Sequence, residues 1–183
     1  VFAAAGSVWS QQGKLTAADG AAGDRFGVSV GISGDTVVVG ALTDDIDNDE
    51  DQGSAYVYKR VGGVWSEIQK LVAADGLPVH NFGRSVALSE NAVLIGATSG
   101  DLAQGAAYLF HRVSETFDQR TRLSAGDAEP YDYFGRAVAM SGPTLVIGAP
   151  SDDTAGPTGN PDVGSAYVID LGVAESLHAD GFE

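Results

Sequence analysis

A set of four short apolar segments recurs three times along the chain, and this repetition limits the folds open to it. Each repeat opens on Phe-Gly, at Phe26, Phe82 and Phe134, which stand 56 and 52 residues apart. Each continues with a segment ending in Gly-Ala, such as "TVVVGA", and one like "GSAYVYKR". The fourth segment, such as "VWSEIQKLVAADG", occurs twice in place and once more near the N-terminus. A period of this length is typical of propellers and other repeat architectures.

All four segments favour β-structure. They are rich in Val, Ile, Tyr and Phe and are bounded by Gly, Asp, Ser or Pro, which is the pattern of strands. No segment shows a sustained helical period of apolar residues, so we expect almost no helix. Tight turns, such as the one at residues 33–36, join the first segment to the second. Four antiparallel strands per repeat predict an all-β fold of three four-stranded propeller blades.

The stretch that runs from Phe-Gly to Gly-Ala in each repeat, called here the frame, resembles the FG-GAP repeat. It covers residues 26–41, 82–97 and 134–149, and the likeness extends over about residues 8–170. The resemblance implies blades like those of the seven-bladed propellers in integrin α-subunits and many bacterial secreted proteins. Calcium-binding members carry a D-x-D-x-D-G type loop between the first two strands. Here that place holds "SGDT", "SENA" and "SGPT", so the family's usual calcium site is not expected.

The repeats predict one β-propeller domain followed by a short tail. The expected boundaries are 1–172 for the domain and 173–183 for the tail, with repeats at about 20–75, 76–127 and 128–172 and an N-terminal strand at 7–15. Typical propellers have about four to eight blades, so three blades indicate a half-propeller or a propeller fragment. The third repeat lacks a fourth strand. We predict strand-swapped closure, in which the N-terminal strand of another copy, or missing blades of a longer chain, supply it.

The chain is strongly acidic, with 25 Asp and Glu against 10 Lys and Arg and a net charge of −15. This charge repels phosphate backbones, so nucleic acid is not an expected partner, whereas cations and cationic ligands are. The chain has no cysteine, which excludes disulfides and thiolate chemistry. No apolar run approaches the roughly 20 residues of a membrane helix, so membrane insertion is not expected.

The long loops between strands should lie together on one face, called here the long-loop face. Its loop 42–52 contains the alternating acids Asp45, Asp47, Asp49 and Asp51. Alternating acids can converge on one calcium ion, so these four are the candidate metal ligands and calcium is the candidate cofactor; a solvated acidic loop is the alternative. Two further sets of aspartates recur once per repeat, and either turn capping or cation binding would explain them. These sets are Asp19, Asp75 and Asp127, and Asp45, Asp101 and Asp153.

No group of residues predicts catalysis. The segment "GVSVG" matches the nucleophile elbow of serine hydrolases, but Ser29 lies inside a repeated strand, where no such elbow forms. The three histidines are scattered and form no zinc pattern. We therefore expect no enzyme, and a glycan-active hydrolase using an acid pair is the lesser alternative.

These features together favour a binding or adhesion module outside a bacterial cell, secreted or on the cell surface. A protein or glycan ligand would bind to the long-loop face, because variable loops on a rigid scaffold usually carry binding. The alternatives are a self-assembling structural protein, forming oligomers or filaments, and a lectin-like carbohydrate-binding protein. The final residues "DGFE" resemble a short terminal motif of exported proteins in some proteobacteria.

Overall fold

The computed structural model describes residues 1–5, 7–99, 101–153 and 163–172. Its strands are β1 (Phe2–Ala5), β2 (Val8–Gln11), β3 (Phe26–Ser33), β4 (Thr36–Ala41), β5 (Ser54–Val61), β6 (Val64–Leu71), β7 (Phe82–Leu88), β8 (Ala92–Ala97), β9 (Ala106–Val113), β10 (Thr116–Leu123), β11 (Ala137–Ser141), β12 (Thr144–Ala149) and β13 (Ser165–Asp170). Between β2 and β13 the described residues contain no α-helix and one short 3-10 turn, Asp101–Ala103. The expected near-absence of helix is confirmed. No helix in these ranges is long and apolar enough to cross a membrane.

Strands β3 to β13 form three antiparallel sheets, and each sheet is one propeller blade. Blade 1 has the order β3-β4-β5-β6 and blade 2 the order β7-β8-β9-β10. Within the described residues, blade 3 has the order β11-β12-β13. The all-β fold of FG-GAP-like blades is therefore confirmed. No strand pairing in the described part of the chain links blade 3 back to the N-terminal residues.

The N-terminal strand differs from its prediction. It was expected to span residues 7–15 and to have no partner in its own chain. Strand β2 instead ends at Gln11 and pairs with β1 in a small hairpin. Strand β1 was not predicted, because "FAAA" has neither the apolar alternation nor the β-branched residues of a strand.

The core lies between blades rather than within one, because strand side chains alternate between the two faces of each sheet. In β8, Val93 and Ile95 pack against blade 1, whereas Leu94 packs against blade 3. Phe82 and Phe134 are almost fully buried in these two interfaces. They fill the gaps between neighbouring blades.

Close approach of backbones explains the glycines of the frame. A Cβ built on Gly40 would lie 2.0 Å from the carbonyl oxygen of Gly83 in the next blade. A Cβ built on Gly96 would likewise lie 2.0 Å from the carbonyl oxygen of Gly135. Ser29 donates a hydrogen bond of 2.7 Å from its hydroxyl to the same Gly83 carbonyl. Ser29 therefore contacts the neighbouring blade and does not form a nucleophile elbow.

Candidate functional site

An acidic cleft opens on the long-loop face of blade 1. It has a volume of about 260 Å³, and the linker before β3, the loop between β4 and β5, and one side chain of β6 form its walls. Its charged lining consists of six acids and one lysine, namely Asp19, Asp24, Asp44, Asp45, Glu50, Asp51 and Lys70. These residues define what we call the acidic cleft.

A hydrogen-bonded network around Tyr56 forms the floor of the acidic cleft. The hydroxyl of Tyr56 lies 2.7 Å from Asp19 Oδ1 and 2.9 Å from Asp44 Oδ2. Lys70 Nζ lies 2.7 Å from Asp19 Oδ2 and 2.8 Å from Asp44 Oδ2. The Ser54 hydroxyl also donates to Asp44, which is buried. One cation thus bridges two carboxylates and offsets one of their two negative charges, and the hydroxyl of Tyr56 is hydrogen-bonded to both.

The pKa values of the network follow from these contacts. Hydrogen bonds from Lys70 and then from Tyr56 lower the pKa of Asp19. Partial burial by itself would lower the pKa of Lys70, but its hydrogen bonds to Asp19, Asp44 and Tyr56 raise it overall. Burial and the hydrogen bond to Asp19 raise the pKa of Tyr56. At neutral pH Asp19 is therefore a carboxylate, Lys70 an ammonium group and Tyr56 a neutral phenol.

The same arrangement recurs in blade 3 without a cation from the sheet. The hydroxyl of Tyr167 lies 2.9 Å from Asp127 Oδ1 and 2.9 Å from Asp152 Oδ2. Burial, followed by hydrogen bonds to Asp152 and Asp127, raises the pKa of Tyr167. The sheet of blade 3 has three strands among the described residues, and it is the fourth strand that carries Lys70 in blade 1.

Blade 2 has a modified form of the network. Arg122, on its fourth strand β10, lies 3.5 Å from Asp75, and His80 Nε2 lies 3.5 Å from the hydroxyl of Tyr108. Burial and a hydrogen bond to Asp75 raise the pKa of Tyr108. The aspartate set at Asp19, Asp75 and Asp127 therefore has one structural role in every blade. Each contacts the tyrosine of the third strand or the cation of the fourth.

Four buried aspartates were missed by the sequence analysis. Asp24 and Asp132 accept backbone hydrogen bonds of 2.6 Å from Ala21 and Glu129 and so close the turns before the Phe-Gly strands. The other two, which bond the tyrosines, are Asp44 and Asp152. Each of these positions is aspartate in only two of the three repeats, since blade 2 has His80 and Gly100 there. A search limited to residues present in all three repeats does not find them.

The four predicted metal ligands lie in a loop of blade 1 that is hydrogen-bonded to the linker before blade 2. Asp45 Oδ1 accepts a hydrogen bond of 2.8 Å from the backbone N–H of Asp51. The carbonyls of Glu50 and Asp51 accept hydrogen bonds of 2.8 Å and 3.2 Å from Val79 and Asn81 of the next linker. Within the described ranges no group of three or more acids or histidines is arranged to hold a metal ion. Calcium at Asp45, Asp47, Asp49 and Asp51 stays a prediction.

Some predicted features cannot be placed. The loop residues 154–162, the tail from residue 173 and its "DGFE" end lie outside the described residues. So does His178, one of the three histidines. Asp45, a member of the second recurring set, accepts a hydrogen bond from the backbone of Asp51.

The comparison with protein families agrees with this geometry. A family model described as the FG-GAP repeat matches residues 9–58, 65–110 and 117–169. Each match begins in a fourth-type strand, at Trp9, Trp65 or Phe117, and runs through the three strands that follow. Comparison with curated proteins gave no match. Three matches that together cover most of the chain show that it belongs to the FG-GAP repeat family.

Proposed function

We propose that this chain is a binding module whose acidic cleft takes a cationic side chain of a protein partner. The observation that supports this proposal is the charge of the cleft, which has six acids and one lysine in a cavity of about 260 Å³. Blade folds serve many functions, so membership of the family does not by itself indicate a partner, whereas the charge of the cleft does.

The rim and the floor of the acidic cleft have different roles in this proposal. On the floor, Lys70 already pairs with both Asp19 and Asp44. At the rim, Asp45 and Glu50 are exposed. A lysine or arginine from a partner would pair with these rim carboxylates, while the hydrogen-bonded floor keeps the site preorganised. Complementary charge of this kind raises association rates and selects partners.

We also propose that the chain works outside the cell as an exported bacterial protein. Support comes from its resemblance to secreted FG-GAP proteins and from an acidic surface of net charge −15, which favours solubility. Cell fractionation of the producing bacterium tests this location. Recovery of the protein only from the cytoplasm would contradict it.

Fluorescence anisotropy with a labelled oligolysine peptide tests the cleft. The double variant Asp45→Asn with Glu50→Gln should weaken binding about fivefold, because each exposed pair contributes up to about 1 kcal/mol. The matched control is Glu90→Gln, an exposed acid in the short turn between β7 and β8, on the opposite face. It should leave the affinity within about twofold. Equal losses in both variants would show attraction to net charge alone and would contradict a site.

A further inference from the structure

We propose that a second copy of this chain docks on blade 3 and inserts its segment Val8–Leu15 beside β13 as the missing fourth strand. In this arrangement Lys14 of the second copy reaches Asp127 and Asp152. The proposal goes beyond the acidic cleft, which lies in blade 1, and the two can fail independently. Four features of the described residues support it.

The first feature is the register of the N-terminal hairpin, which matches that of the outer hairpin of blade 1. In β1–β2, Ala5 lies opposite Val8 and Phe2 opposite Gln11. In β5–β6, Val61 lies opposite Val64 and Tyr58 opposite Glu67. Strand β2 is therefore equivalent to β6 residue by residue, and β1 occupies the place of a third strand.

The second feature is the linker that follows β2. The backbone N–H of Ala18 donates a 3.0 Å hydrogen bond to Glu67 Oε2, just as Ala74 N–H donates at 3.0 Å to Gln119 Oε1 one blade later. Leu15 packs against the core cluster of blade 1, as Leu71 does in the interface with blade 2. The N-terminal segment thus enters blade 1 as the chain of a preceding blade would.

The third feature is a cation position that blade 3 leaves empty. Lys14 follows Val8 at the same distance as Lys70 follows Val64, so strand equivalence places Lys14 where blade 1 has Lys70. None of the ion pairs between described residues involves Lys14, which is exposed. Blade 3 offers Asp127 and Asp152 around one tyrosine hydroxyl. The free lysine and the acid pair complement each other.

The fourth feature is the open face of blade 3. Val146 and Val168 are 36% and 69% exposed, whereas their equivalents in blade 1, Val38 and Val57, are both 0% exposed beneath blade 2. A Cβ built on Gly148 would lie no closer than 3.7 Å to another atom. A Cβ built on Gly40 or Gly96, in contrast, would lie 2.0 Å from a carbonyl oxygen of the next blade. This face has the residues of an interface, and no described part of this chain packs on it as a blade.

Blade 1 of the second copy has the complementary face. Its Val30 and Ile32 are 68% and 62% exposed, and their equivalents in β7, Val86 and Leu88, pack in the interface between blades 1 and 2. Gly27 has φ of 94°, close to the 88° of Gly83, which contacts the preceding blade. The strand and the face would therefore dock together, repeating the contact that already joins one blade to the next.

Docking requires β13 to replace β1 beside β2. Strand β1 has four residues and β13 has six, and an isolated two-stranded hairpin is at best marginally stable. Exchange between two copies gives six blades with twofold symmetry and covers the otherwise unpaired edge of β13. Six lies within the usual range of about four to eight blades.

Sedimentation equilibrium over a range of protein concentrations tests the proposal. The wild-type chain should form a dimer, twice the 18.7 kDa of one chain. Lys14→Glu and Asp127→Lys should each weaken the dimer about tenfold or more, and combining them should restore it, because the pair is then reversed. Lys59→Glu, which breaks an exposed pair with Glu115, is the matched control and should leave the dimer intact.

Two further variants separate docking from folding. Gly148→Ala should fold normally, since its Cβ has room in the single chain, but should prevent dimerisation by meeting the backbone of Gly27 of the second copy. Removal of residues 1–5 should strengthen the dimer, because it removes the strand that competes with β13. A wild-type chain that stays monomeric at high concentration overturns the proposal. So does a dimer that tolerates both Lys14→Glu and Gly148→Ala.

Discussion

At the scale of the residue, one position on the second strand of each blade shows how neighbouring backbone dictates identity. Gly40 and Gly96 face a carbonyl of the next blade, and no side chain fits between them. Gly148 occupies the same position in the last blade and has free space. The requirement for glycine therefore comes from the adjacent blade and not from the strand itself.

This comparison gives a stability prediction. Gly96→Ala should lower the free energy of unfolding by about 3 kcal/mol, because a Cβ would overlap the Gly135 carbonyl and force the blades apart. Gly148→Ala, the matched control, should change it by less than about 0.5 kcal/mol when measured on the monomer. Urea unfolding followed by circular dichroism measures both. Equal losses would mean that glycine is needed for strand geometry alone.

A second prediction concerns the lysine of the network. Lys70→Met should lower the free energy of unfolding by about 2 kcal/mol, because it leaves the buried Asp44 without its cation. Lys59→Met, which removes a pair with the exposed Glu115, should cost less than about 0.5 kcal/mol. Chemical unfolding at pH 7 compares the two variants. A loss for Lys70→Met no larger than that for Lys59→Met would contradict the structural role of the network.

The pH dependence of this loss follows from Asp19, whose pKa is lowered in the folded state. A lowered pKa stabilises the folded chain above the ordinary value of 3.8, and this contribution disappears as the pH falls through the folded pKa. The difference between the wild type and Lys70→Met should therefore be constant near neutral pH and shrink below about pH 4. A difference that grows on acidification would contradict the assignment.

At the scale of the element, each blade is incomplete without the next one, because each strand offers apolar side chains to both of its faces. Val57 in β5 and Val168 in β13 occupy equivalent positions, with 0% and 69% exposure. Val57→Ala should lower the free energy of unfolding of the monomer by about 2 kcal/mol, since it removes two buried methyl groups. Val168→Ala should have almost no effect. Similar losses in the two variants would mean that the open face of blade 3 is covered in the monomer.

The acidic loop is a second element with a testable role. Its backbone carbonyls hold the linker of blade 2, and Asp45 accepts a bond from within the loop. Calcium binding there should be weak, with a dissociation constant above about 1 mM, because few of its oxygens remain to converge on an ion. Calorimetry should show this weak binding and its loss in Asp47→Ala with Asp49→Ala. Tight binding, or equal binding in the double variant, would contradict the prediction.

The sequence predicted those elements whose cause lies within one repeat. The Phe-Gly strands and the Gly-Ala strands are visible because their apolar residues and bounding glycines recur at a fixed spacing. Strand β1 was missed because its pairing depends on β2 and not on its own residues. Asp44 was missed because its partner, Tyr56, is brought close only when the loop folds back over the sheet. The acidic cleft combines three separate segments, so no local pattern could predict it.

At the scale of the whole molecule, three blades in a row leave two open ends that match each other. At one end, in the part of the chain that the structure describes, blade 3 has neither a fourth strand nor the cation that this strand carries in blade 1. The other has a strand of the fourth type, Val8–Gln11, that carries the equivalent lysine three residues later. In the register of blade 1, where Lys59 lies opposite Ser66, docking would bring Asp170 of one copy opposite Ser10 of the other.

The chain has no cysteine, so a disulfide between these two positions reports the contact without ambiguity. If two copies exchange strands, a mixture of Ser10→Cys chains and Asp170→Cys chains should, after oxidation, give a covalent dimer at twice 18.7 kDa on a non-reducing gel. Neither variant chain should form this dimer on its own. A mixture of Gly13→Cys and Asp170→Cys chains should not form it either, because position 13 lies three strand residues, about 10 Å, beyond position 10 and is out of reach of a disulfide. A mixture that stays monomeric, or cross-links equally well from Gly13→Cys, would contradict the account.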